Sequence, residues 1–74
     1  MRRYQLDIRG ELCPYTLINT KKRMAELAPG DLLEIRLDNP EATQTIPNWA
    51  KHAGHRLIEI KEETGNWMLL LEKG

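Results

Sequence analysis

Seventy-four residues, 41% hydrophobic and 30% charged, describe a globular chain too short for a second domain of ordinary size. Eleven Lys and Arg offset eleven Asp and Glu, which argues against a global electrostatic grip on nucleic acid or anionic lipid. The one cysteine, Cys13, excludes an internal disulfide framework and a multi-cysteine zinc site.

Tyr4, Leu6 and Ile8 alternate with Gln5, Asp7 and Arg9, predicting a half-buried strand that Gly10 and Glu11 turn away. A helix follows. Pro14, Leu17, Ile18, Met24, Ala25 and Ala28 are spaced as its apolar face, with Thr16, Asn19, Lys22, Arg23 and Glu26 opposite. Pro14 suits its first position, and Pro29-Gly30 ends it near Ala28. Leu33, Ile35 and Leu37 predict a second strand. Asn39 and Pro40 then start a second helix, whose stripe is Ala42, Ile46, Trp49, Ala50 and Ala53. Pro47 predicts a kink or restart near Thr45, and Gly54 a C-cap. Ile58 and Ile60 mark a third strand, with Thr64-Gly65-Asn66 turning into a fourth at Trp67–Leu71.

This β-α-β-α-β-β order implies an α/β two-layer sandwich over residues 1–74, taken as one domain. Right-handed crossovers place both helices on one face of a mixed four-stranded sheet. The other face is expected to be solvated, carrying Gln5, Asp7, Glu34, Arg36, Glu59 and Lys61. Arg2 and Arg3 are not followed by the apolar run of an export signal, and Trp67–Leu71 is too short to span a bilayer. One cysteine in so small a chain suits a reducing cytoplasm.

Cys13 carries the candidate chemistry. It immediately precedes Pro14, so it falls at a helix N-terminus, where unpaired N–H groups and the helix dipole favour a thiolate. An accessible thiolate suits sulfur or acyl transfer. The competing reading is a small buried hydrophobe. His52 and His55 are spaced as a possible metal pair, but Gly54 ends the helix between them, and no metal site is expected. Lys21, Lys22 and Arg23, with Arg9, could receive an acidic partner or form a solvated face. Trp49 and Trp67 read as core-edge residues, and there is no Gly-rich phosphate loop.

The run Leu6-Asp7-Ile8-Arg9-Gly10-Glu11-Leu12-Cys13-Pro14 resembles the opening of the TusA/SirA family of small sulfur carriers. The likeness continues through Thr20-Lys21-Lys22, Pro29-Gly30-Asp31, Asp38-Asn39-Pro40, Ile46-Pro47-Asn48-Trp49-Ala50 and Gly54-His55. It implies that Cys13 accepts sulfane sulfur as a persulfide and needs no cofactor. It also implies a cysteine desulfurase or rhodanese-like donor and a downstream acceptor protein, serving tRNA thiolation, cofactor biosynthesis, thiosulfate uptake or other sulfur metabolism. The family's Cys-Pro-x-Pro reads Cys13-Pro14-Tyr15-Thr16 here, so Thr16 replaces the second proline, which is expected to loosen the turn slightly, with the Thr16 hydroxyl a candidate to cap or hydrogen-bond near Cys13 instead. Gly10, Glu11, Pro14 and Thr16 then support the motif, while Arg9, Lys21, Lys22 and Arg23 are candidates for partner docking. The alternative is a regulatory module in which the Lys21–Arg23 patch meets an acidic protein or RNA without covalent chemistry.

Overall fold

A computed structural model describes residues 2–12 and 14–74; Met1 and Cys13 lie outside the described residues. The elements are β1 (Arg3–Asp7), α1 (Tyr15–Ala25), β2 (Leu32–Leu37), α2 (Ala42–His52), β3 (Arg56–Glu63) and β4 (Asn66–Glu72), in the expected order. Across the sheet they run β1-β2-β4-β3. β1 and β2 are parallel, and β4 is antiparallel to both β2 and β3. The crossover through α2 carries β3 to the far edge, and the Thr64-Gly65 turn returns β4 into the gap beside β2. That central place explains the unbroken apolar run of β4, since Met68 to Leu71 are buried on both faces. β3 is the opposite case. It is an edge strand rich in charge, with a register shift between Leu57 and Glu59 that leaves Ile58 exposed, and such features discourage edge-to-edge pairing.

Both helices pack on the sheet face formed by Leu33, Ile35 and Leu37 of β2 with Leu69 and Leu71 of β4. Ile46, Ala42 and Ala50 enter this core from α2, and Met24 enters it from α1. The buried face of α1 is rotated from the predicted one. Thr16, Thr20, Met24 and Leu27 are buried, whereas Pro14, Ile18, Ala25 and Ala28 are exposed and Leu17 is half-buried. A pattern that scores threonine as polar misses this phase. Thr20 Oγ1 donates to the Thr16 carbonyl at 2.8 Å, so its hydroxyl is satisfied within the helix.

The helix ends also differ from expectation. α1 stops at Ala25, before Ala28. Glu26 and Leu27 N–H groups bond the Arg23 and Met24 carbonyls in a tighter turn, and Leu27 swings into the core. Ala28 N–H then bonds Asp31 Oδ2 at 3.0 Å, while Lys73 Nζ reaches Met24 O at 2.8 Å. α2 begins at Ala42 with Glu41 as its N-cap, two residues past Asn39. Asn39 Oδ1 still accepts Glu41 N–H at 3.0 Å, forming an Asx turn that leads into the helix. Pro47 lies inside a continuous α2 with no restart at Thr45. It is the sixth of the eleven residues, and its missing N–H removes a single bond, the one to the Thr43 carbonyl, from the ladder. Gly54, at φ +84°, ends α2 as expected, with His55 N–H on Ala50 O at 2.8 Å and Gly54 N–H on Lys51 O at 3.4 Å.

The open face is not uniformly solvated. Met68 and Leu70 lie on it, opposite Arg36 and Glu34, and both are buried. Long charged side chains roof them. Glu34, itself buried, pairs with Arg3 at 3.4 Å and Arg36 at 3.7 Å, and Arg36 reaches Glu63 at 2.8 Å. Aliphatic stems cover the apolar floor while their heads pair in water.

Candidate functional site

β1 and β2 run in parallel, so the loops leaving their C-terminal ends share one edge of the sheet. The first loop carries Gly10 to Pro14 and the second carries Asp38 to Glu41. Glu11 N–H bonds Ile8 O at 3.1 Å across a turn whose third residue, Gly10, has φ +87°, as a type II turn requires. Both carboxylate oxygens of Asp38 lie 3.0 Å from Gly10 N, so the second loop pins the first. Asn19 Nδ2 donates to Glu11 Oε1 at 3.3 Å and ties the first loop to α1. Between the loops opens a groove of about 550 Å³ lined by Gly10, Glu11, Leu12, Asp38, Asn39, Pro40 and Glu41.

α1 starts directly after this loop. Tyr15 N–H bonds Leu12 O at 2.8 Å, and Ile18 N–H bonds Pro14 O at 3.0 Å, which makes Pro14 the N-cap. Cys13, the predicted sulfur-bearing residue, is outside the described residues. Leu12 is 72% exposed, Tyr15 60% and Ile18 43%. With Lys22, Tyr15 and Ile18 lie at the i, i+3, i+7 spacing of one solvent-facing stripe. Leu12 also lines the groove with the carboxylates of Glu11, Asp38 and Glu41, so exposed apolar and acidic groups meet at this loop.

These features, a turn at Gly10 leading toward α1 and an Asp38-Asn39-Pro40 loop bonded to it, agree with the family comparison. The family described as Sulfurtransferase TusA matches residues 4–73. The chain belongs to the TusA family. A Thermotoga maritima relative named as a candidate sulfur carrier protein is 39% identical over 66 residues, covering 84% of each chain. TsuB of Escherichia coli, also named as a candidate sulfur carrier, is 34% identical over 70 residues and 93% of each chain. The crystal structure of a SirA-like protein from Desulfitobacterium hafniense matches with a TM-score of 0.84 at 25% identity, covering 96% of this chain and 97% of that one.

In this TusA family member, the residues singled out in the sequence divide into two groups. Gly10, Glu11 and Pro14 converge on the loop. Thr16 is buried beneath the first turn of α1, with no hydrogen-bond partner for Oγ1 among the described residues. The four basic residues do not form one patch. Arg9 is engaged by Asp7, which accepts its Nε at 2.9 Å and Nη2 at 2.7 Å. Those side-chain bonds, with one from Arg9 N–H, hold the Asp7 carboxyl down at about 2. Arg23 packs over the Tyr4 ring, 5.2 Å from its centroid, and pairs with Glu26 at 3.1 Å. Lys21 and Lys22 remain exposed.

Asp38, Leu12, Tyr15 and Ile18 were absent from the sequence-derived site. Asp38-Asn39-Pro40 carried the only sequence signal for the second loop, through the resemblance, and its contact with Gly10 spans 28 positions. His52 and His55 lie at the other end of α2. His52 Nδ1 bonds Asn48 O at 2.8 Å, and His55 Nδ1 accepts Gly74 N–H at 3.1 Å. Among the described residues, no three His, Cys, Asp or Glu side chains gather as a metal site. No helix of the described residues is long and apolar enough to cross a membrane.

Proposed function

We propose that this protein is a sulfur carrier whose Cys13 accepts sulfane sulfur from a donor persulfide and relays it to a partner protein. The observation that carries the proposal is the TusA family match over residues 4–73, together with the Cys13-Pro14 pair at the entry to α1. In the loading step the Cys13 thiolate attacks the outer sulfur of the donor's R–S–SH. The new bond joins Cys13 Sγ to that sulfur, the donor S–S bond breaks, and the donor leaves as a thiolate with the electron pair. The transferred sulfur keeps its oxidation state, so no external oxidant or reductant is consumed. Delivery repeats the exchange with an acceptor nucleophile. No cofactor is required, and the partners supply the rest of each reaction site. A cysteine desulfurase or rhodanese-like protein is the donor class this chemistry suits, in a reducing compartment.

Leu12, Tyr15, Ile18 and Lys22 are the surface proposed to meet partners, since they flank the Cys-Pro segment and face solvent. The alternative of a basic docking module has less support, because Arg23 and Arg9 are committed to contacts within the chain. The test is intact mass after incubation with a cysteine desulfurase and cysteine. The expected result is a gain of one sulfur that reductant reverses and that Cys13→Ser lacks. Loading in the Cys13→Ser protein, or undiminished pathway activity of that variant, would refute the carrier function.

A further inference from the structure

We infer that the groove between the last turn of α2 and the start of β3 binds a small amphipathic carboxylate, an acid group carried on an aliphatic or aromatic body. The groove measures about 400 Å³ and is lined by Pro47, Asn48, Lys51, His55, Arg56 and Leu57. That volume falls among small-molecule sites, roughly 300–1,000 Å³. Six lining residues are too few for a stable protein interface, which engages about 20–30 on each side. Pro47 and Leu57 supply the apolar walls. Leu57 pairs with Leu71 across the sheet and packs against the core, so its wall is fixed.

No carboxylate lines this groove, and its polar side chains offer hydrogen-bond donors. Lys51 and Arg56 are exposed and have no ion-pair partner among the described residues, whereas Arg3, Arg9, Arg23 and Arg36 are each paired with a carboxylate. His55 is held from two sides. Its ring centroid lies 5.2 Å from that of Trp49, and Nδ1 accepts the Gly74 N–H at 3.1 Å. With Nδ1 accepting, the neutral imidazole carries its proton on Nε2, a donor with no acceptor among the described residues. The helix dipole accounts for Lys51 in the last turn of α2 but not for Arg56, which belongs to β3. The same dipole selects among anions, because the partial negative charge of a helix C-terminus opposes a dianion such as phosphate more than a monoanion. A guanidinium meets a carboxylate through two N–H groups and an ammonium adds a point charge. At the other end of α2 the loop groove holds Glu11, Asp38 and Glu41 and no basic residue, so it repels the same ligand. The eleven residues of α2, about 16 Å of helix, separate the two grooves. An acid bound at the basic one leaves the loop groove open, and its binding does not involve Cys13.

The experiment is an NMR titration of the ¹⁵N-labelled protein with 4-phenylbutyrate, beside its neutral analogue 4-phenylbutan-1-ol and inorganic phosphate. The expected result is saturable shifts of the Asn48, Lys51, His55, Arg56 and Leu57 amides, with a dissociation constant of roughly 1 mM for so small a probe. The Gly10 and Glu41 amides should stay still. The alcohol lacks the charge and phosphate lacks the apolar body, so each should bind at least about fivefold more weakly. Lys51→Ala and Arg56→Ala should each weaken phenylbutyrate by about three- to fivefold, with Lys51→Arg close to wild type. Both side chains are exposed, and unchanged Ile35 and Leu69 amides confirm that the variants keep the fold. Shifts that never saturate, equal affinity for the alcohol or for phosphate, or unaltered affinity in both alanine variants would overturn the proposal. Binding of the capped dipeptide acetyl-Phe-Glu-amide without binding of phenylbutyrate would also overturn it, and would assign the groove to a protein partner.

Discussion

Replacing Asp38 with alanine tests whether the second loop holds the first in place. The Asp38 carboxylate is the acceptor for Gly10 N–H, with both oxygens at 3.0 Å, and Gly10 sets the turn that leads to Cys13. Hydrogen bonds to a charged group contribute about 1.5–3 kcal/mol net, and Asp38 is exposed, so water competes and the lower part of that range applies. A loss of about 1–2 kcal/mol corresponds to roughly 5–30-fold more opening of the turn. NMR magnetisation-transfer measurement of amide exchange reads this directly at Gly10, with Ile35 and Leu69 amides as core references. Gly10 exchange should accelerate by that factor while the references stay unchanged. Asp38→Asn should recover part of the loss, because it keeps an acceptor without the charge. Persulfide loading at limiting donor should slow in the same rank order. Gly10 exchange equal to wild type would refute the clamp, and equal acceleration of the core amides would show a global loss of stability in place of a local one.

Ile46→Ala empties a fully buried site between α2 and the sheet and should destabilise by about 2–5 kcal/mol, read as a lower urea midpoint. Against a total of roughly 4–11 kcal/mol for a chain of this length, that loss leaves a measurable unfolded population. Ala28 and Arg2 N–H groups bonded to Asp31 hold its carboxyl below 3.8, so its contribution is complete above that pH and fades as pH falls through the folded value. Asp31→Asn should therefore flatten the acid limb of the stability–pH curve below about 4. Burial, with Lys73 nearby, holds the His55 imidazole below 6.5, so the unfolded chain binds the extra proton first and stability drops as pH falls below 6.5. His55→Gln should remove that slope in urea titrations, and an unchanged slope would show that His55 is not its source.

The elements were legible because each has a clear local signal. Alternation marks β1 and β2, Gly54 ends α2, and Gly65 turns the hairpin. The apolar face of α1 was not legible, because Thr16 and Thr20 bury hydroxyl-bearing side chains and Ile18 is left on the surface. Of the candidate site, the described residues Gly10, Glu11 and Pro14 could be read from the one contiguous motif that holds the proposed Cys13. Asp38 could not be placed with them, since nothing local reveals a carboxylate bonding a backbone N–H 28 residues away. The Lys21–Arg23 run looked like one patch, but successive helical residues lie about 100° apart, so Arg23 meets Tyr4 while Lys22 faces solvent.

By itself, then, the sequence determined the number, kind and order of elements, the family, and a Cys-Pro pair just ahead of α1 in the chain, because these rest on local periodicity, turn chemistry and contiguous motifs. Tertiary structure alone decided that β4 lies between β2 and β3, that Met68 and Leu70 are roofed by ion-paired side chains, and that two distant loops enclose one groove. Those outcomes depend on which strand edges and faces remain available once the others have paired, a property of the assembled chain that no short window of residues contains.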